Sequence, residues 1–146
     1  MRSLPLLRAA AGAAFAASCC AHAADVLPTM RVQLGPAPLT VEVAATLDAQ
    51  RTGLMFRRSL PADRGMLFAF SQPRPMCYWM KNTIMPLSIA FIAPAHGAQR
   101  VTAIADMQPN TLAVHCSPGP AQFAIEVPQG WFARHGVAVG ALLATR

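Results

Sequence analysis

The sequence predicts a mainly β domain of the α+β kind: a compact, barrel-like sheet, antiparallel or mixed, with one or two short helices. Short stretches in which apolar and polar residues alternate recur along most of the chain, and that alternation is the period of a half-buried strand. Thirteen prolines and nine glycines among 146 residues exclude a coiled coil or a long helical bundle, because each proline removes a backbone donor and fixes φ. A hydrophobic content of 54% excludes a disordered tail, and the length allows one domain.

Residues 1–24 read as an export leader. Arg2 and Arg8 precede a run rich in Leu and Ala with no acid before Asp25, and Ala21-His22-Ala23 is the small-x-small pattern that a signal peptidase cleaves. The apolar run between Arg8 and His22 is shorter than the roughly 20 residues a bilayer span requires. Ala16-Ala17-Ser18-Cys19 loosely resembles a lipoprotein box, with Ala16 standing where a larger aliphatic residue is usual. Cleavage near Ala23 or Ala24, and a periplasmic or secreted mature chain, is the expectation.

Residues 25–38, with Pro28, Pro36 and Pro38, read as an arm entering a domain that spans 39–146. Leu39, Val41 and Val43 alternate with Thr40, Glu42 and Ala44 as a first strand. Thr46 is placed to cap a short helix reaching Arg51, and Gly53 to end it in the left-handed conformation. Ser59 to Arg64 is a turn built around Pro61 and Asp63. Met66, Phe68 and Phe70 then face one way. Cys77 to Thr83 reads as a strand, as does Leu87 to Ala93 with Leu87, Ile89 and Phe91 on one face. Pro94-Ala95-His96-Gly97 is a hairpin connection to a strand near Val101 to Asp106. Phe123, Ile125 and Val127 alternate with Gln122, Ala124 and Glu126. Trp131 to His135 makes one helical turn closed by Gly136, and Val137 to Ala144 the last strand.

Without Arg2 and Arg8, ten basic residues face six acidic ones. That balance suits solubility and weak attraction to anionic surfaces. Apart from Arg57-Arg58 the basic residues are dispersed, with no basic and aromatic stripe, so nucleic acid is not an expected partner. Cys77 and Cys116 remain in the mature chain. In an oxidising compartment the pair is most simply a disulfide, and no Cys-x-x-Cys spacing supports redox chemistry.

The most distinctive stretch is Trp79-Met80-Lys81-Asn82-Thr83, where Lys81 is the only lysine beside eleven arginines. Alternation puts Trp79, Lys81 and Thr83 on one face of that strand. With Gly53-Leu54-Met55-Phe56-Arg57, Gly65-Met66-Leu67-Phe68, Pro86-Leu87 followed by Ile89 and Phe91, and Glu126 with Pro128, Gly130 and Trp131, it resembles the DUF192 family. The resemblance covers nearly all of residues 39–146. It implies a compact β-rich single domain, often exported, with no established activity. Two positions depart from the family pattern: Ser88 stands where an aspartate usually follows Pro-Leu, and Gly140-Ala141 where Gly-Asp is usual.

Three functional classes follow. In the first, the domain is a non-catalytic binding or interaction module whose surface is Trp79, Lys81, Asn82 and Thr83 with Arg57 and Glu126 nearby; Lys supplies a point charge and Asn directional bonds. Its bland counterpart has Trp79 in the core, Lys81 paired with an acid such as Glu126, and Asn82-Thr83 turning the chain. In the second, Met76, Met80 and Met85 around Cys77, with His96 and His115, handle copper(I). The third is an envelope enzyme without a recognisable motif. Ser88 lies inside a strand with no Gly-x-Ser-x-Gly turn, there is no His-Glu-x-x-His, and no glycine-rich loop points to a nucleotide. The first class is preferred, with no catalytic residue, metal or cofactor expected and an unidentified small molecule or protein of the cell envelope as partner.

Overall fold

The computed structural model describes residues 26–145. The expected leader over 1–24 and the lipid attachment at Cys19 lie outside them. In chain order the elements are β1 (Thr29–Leu34), β2 (Ala37–Ala44), α1 (Leu47–Thr52), β3 (Arg64–Arg74), β4 (Cys77–Tyr78), β5 (Leu87–Ala95), β6 (Ala98–Met107), β7 (His115–Cys116), β8 (Ala121–Pro128), α2 (Trp131–Arg134) and β9 (Leu142–Thr145).

Seven strands close a barrel in the order β1-β2-β3-β8-β5-β6-β9, and β4 and β7 form a separate two-stranded sheet. The barrel is mixed because β2 and β3 run parallel, whereas the other neighbours are antiparallel. A parallel pair needs a crossover, and residues 45–63 provide it. This is why α1 lies outside the barrel, where Gln50 donates to the carbonyls of Ala44 and Ala69. Thr46 caps α1 by accepting from the Ala49 amide. Gly53 ends it at φ 49°, ψ −131°, a glycine region distinct from the left-handed helix expected there.

Both faces of the central strands are buried. Inside, Val32, Leu39, Val41, Leu67, Ile92 and Ile125 form one core, and Trp131 and Phe132 of α2 close it. Outside, Met66, Phe68, Ile89, Phe91 and Ala124 form a second, covered by Leu54, Met76, Met80 and Met85. Two-sided burial of a strand blurs alternation in sequence, and it turns a nominally outward Glu126 into a buried residue.

The structure corrects three boundaries. From Thr29 the expected arm is instead a strand: β1 pairs with β2 from Thr29↔Glu42 to Leu34↔Ala37 and with β9 beyond, closing the barrel. The prolines mislead because Pro36 lies beside the turn at Gly35 and Pro38 is exposed on β2. The strand expected over Cys77–Thr83 shrinks to Cys77–Tyr78. Asn82 adopts φ 57°, the Thr83 amide donates back to the Met80 carbonyl, and the Asn82 carbonyl accepts from Phe56; asparagine is among the few residues that tolerate that conformation. The last strand begins at Leu142, because Gly140 at φ 92° and the Ala141-to-Ala138 hydrogen bond turn the chain first. The hairpin expected at Pro94–Gly97 is present, with His96 and Gly97 both at positive φ between β5 and β6.

Candidate functional site

The site lies on the outer face, where the crossover and the segment after β3 do not quite meet. β3 leaves its ladder with β8 after Ala69 and regains it only at Arg74, opposite Ala121. Residues Phe70 to Pro73 therefore swing outward. The chain then returns through Met76, whose amide and carbonyl bond the Ser117 hydroxyl and amide. β4 pairs with β7 so that Cys77 stands opposite Cys116, their sulfurs 2.05 Å apart.

Between this wall and α1 is a cleft of about 430 Å³. The helix side contributes Leu47, Gln50, Arg51 and Gly53 to Met55. Phe70, Arg74, Tyr78 and Trp79 line the opposite side, and Phe68, Thr83 and Glu126 complete the lining. The Tyr78 ring packs edge-on against Phe68, with centroids 4.9 Å apart. The Arg74 guanidinium lies 5.4 Å from the Phe70 ring centroid, within cation–π range.

Glu126 is the chemically exceptional member. Register places it in a row across the outer face: Glu42 of β2, Met66 of β3, Glu126 of β8 and Ile89 of β5. Cross-strand partners share a face, so its immediate neighbours there are apolar. It is 5% exposed, and among the described residues its carboxyl has neither a hydrogen-bond nor an ion-pair partner. Loss of water raises the carboxyl from 4.5 to about 8, so it is largely protonated at neutral pH. Burial, then the nearby Glu126, push the Tyr78 phenol above its ordinary value of 10.

Of the residues expected to form a binding surface, the structure brings Trp79, Thr83 and Glu126 to the cleft and leaves the others outside its lining. Trp79 is not a core residue; it is 47% exposed. Lys81 does not pair with Glu126: its ammonium lies 5.4 Å from the Trp79 centroid on exposed surface. Asn82 is exposed and turns the chain. Arg57 binds Glu42 through both guanidinium nitrogens. Sequence alone does not single out Arg51, Arg74 and Tyr78, whereas the shared facing of Phe68 and Phe70 signals the apolar wall.

The copper grouping comes together only in part: His115 stands opposite Tyr78, beside Cys77, but His96 does not join them. Met76, Met80 and Met85 are buried in the outer core with Phe68 and Phe91, and Cys77 faces Cys116. His96 sits in the turn beyond β5, whose nine residues span roughly 25–30 Å from the Met85 end. Ser88 is 1% exposed, donates to Asp106 and accepts from the Gly130 amide at 2.8 Å. It thus anchors the start of α2 rather than presenting a nucleophile.

A closed mixed barrel with a capped outer face and a carboxyl-lined cleft defines the class. The chain belongs to the DUF192 family, described as an uncharacterized ACR, whose model matches residues 30–145. Among solved structures it is similar to a Sinorhizobium meliloti protein described as a "putative transcription regulator", at 34% identity and TM-score 0.78, over 84% of this chain and 98% of that one. It is also similar to a protein of unknown function from Novosphingobium aromaticivorans, at 30% identity and TM-score 0.76, over 92% and 99% of the two chains. No curated protein matches the chain.

Proposed function

We propose that the domain is an exported, non-catalytic binding module and that the outer-face cleft is its ligand site. The observation that carries this reading is Glu126: a buried carboxyl without a hydrogen-bond or ion-pair partner among the described residues, in a cleft also lined by Phe70, Tyr78 and Trp79. An unpaired buried polar group is costly, by roughly 1–3 kcal/mol or more. A ligand that satisfies it recovers that cost, while the aromatic walls bury an apolar body. The cleft volume suits a small molecule or a single protruding side chain. Export is supported by the leader pattern over residues 1–24 and by the apposition of Cys77 and Cys116.

The test is a screen of small amphipathic molecules by thermal shift, followed by titration against Trp79 fluorescence. The protein has two tryptophans, and Trp131 is fully buried, so a Trp131→Phe variant isolates the cleft signal. Ligands whose binding is weakened at least tenfold by both Trp79→Ala and Glu126→Gln support the reading. Ligands indifferent to both substitutions place the binding site elsewhere and defeat it.

A further inference from the structure

Resting on the cleft reading, we infer that its ligand is amphoteric: an ammonium group directed inward to Glu126 and an anionic group outward to Arg51 and Arg74, joined by an apolar spacer. The inference comes from the order of charges in the cleft. Its titratable lining consists of Glu126 on β8, Tyr78 on β4, Arg51 on α1 and Arg74 at the end of β3, with Cys77 facing its partner cysteine. The acid is buried, whereas both arginines are exposed. Tyr78, half-buried, lines the same cleft.

Each group constrains the ligand. Neither arginine has an acidic partner among the described residues, since the ion pair there joins Arg57 and Glu42. A simple organic cation would meet Arg51 and Arg74 as like charges at the mouth, and a simple anion would find nothing suitable at Glu126. An ammonium against the carboxyl gains both opposite charge and hydrogen bonds in a site of low dielectric. The rings of Tyr78 and Phe70 offer π faces and apolar area to what lies between. A ligand carrying the two charges at opposite ends meets every one of these requirements.

A proton balance follows. Below its raised titration point, free Glu126 holds a proton. Seating an ammonium favours the carboxylate, so the carboxyl proton leaves to solvent while the ligand keeps its own. Tyr78, its phenol pushed up by burial, keeps its proton throughout.

The experiment is calorimetric titration of the intact mature protein with 6-aminohexanoate, hexylamine, hexanoate and hexanamide, at pH 6.5 and 9.5, in buffers of different ionisation enthalpy. The expected result is at least tenfold tighter binding of 6-aminohexanoate than of the other three probes, with close to one proton released at pH 6.5 and close to none at pH 9.5. Glu126→Gln should abolish the proton release. Replacing Arg51 and Arg74 together by Ala should reduce the advantage of 6-aminohexanoate over hexylamine to less than threefold. Equal binding of all four probes, or tightest binding of hexanoate or hexanamide, overturns the inference and leaves the cleft reading standing. Binding of none overturns it too, and the broader screen then decides the cleft reading separately.

Discussion

Arg57 grips both carboxylate oxygens of Glu42. Glu42 is separated from Glu126 by Met66 in the same cross-strand row, about 10 Å away across two strand spacings. The guanidinium that sequence proximity brought to the candidate surface thus neutralises one acid of the row and leaves the other to the cleft. The pair is about one-third exposed on the Arg57 side, so solvent screens it. A double-mutant cycle of Arg57→Ala and Glu42→Gln, read by urea denaturation, should give a coupling of about 1 kcal/mol that declines in high salt.

Glu126 should make stability fall with rising pH. Its folded carboxyl titrates near 8 against an ordinary value of 4.5. Between those values the folded chain holds a proton that the unfolded chain has released. The slope of unfolding free energy with pH is therefore negative in this window and contributes nothing below or above it. Over the whole window the Glu126 contribution is on the order of a few kcal/mol. Urea midpoints from pH 4 to 9 should show this decline in the wild type, and Glu126→Gln should remove it.

The β3–β8 contact that seats Glu126 depends on Gly65. A Cβ there would come within 2.7 Å of the Glu126 carbonyl oxygen and 3.0 Å of a Val127 methyl. Gly65→Ala must push the two strands apart, at a cost of about 2 kcal/mol. Thermal denaturation measures the loss, and the wild-type pH dependence should be blunted as Glu126 gains access to water.

Closing the loop between Cys77 and Cys116, 39 residues apart in sequence, should stabilise by about 4 kcal/mol through the entropy of the unfolded chain. Cys77→Ser with Cys116→Ser, or reductant added to the wild type, should lower Tm correspondingly. Alkylation without reductant tests the bond itself: label on both Cys77 and Cys116 would show that it is not formed.

Ser88 offers a further test. Its hydroxyl joins Asp106 to the Gly130 amide, so the aspartate common in the family at this position would set two carboxylates against each other. Ser88→Asp should cost about 1–3 kcal/mol at neutral pH. Adding Asp106→Asn should recover most of it, as read by chemical denaturation of the single and double variants.

Much of the barrel was legible in sequence because period-2 alternation and turn residues are local signals. They located β2, β5, β6 and β8, the Thr46 cap and the β5–β6 hairpin. They failed where the chain's hydrogen bonds are non-local. β1 reads as an arm in sequence because its partner β9 lies at the far end of the chain, and Trp79–Thr83 reads as a strand although its backbone bonds to the loops at Phe56 and Thr111.

The site divides in the same way. Sequence by itself determined the family resemblance, the mainly β class and the apolar alternation around Glu126. Tertiary structure alone decided that the opposite face of β8 is also covered, because the α1 crossover and the 75–86 segment fold over it. An acid on a presumed solvent face thereby became a buried carboxyl, unpaired among the described residues, while Lys81, the most conspicuous residue of the chain, remained in water. Burial depends on what other segments lay over a side chain, and a residue's neighbours in sequence do not record that.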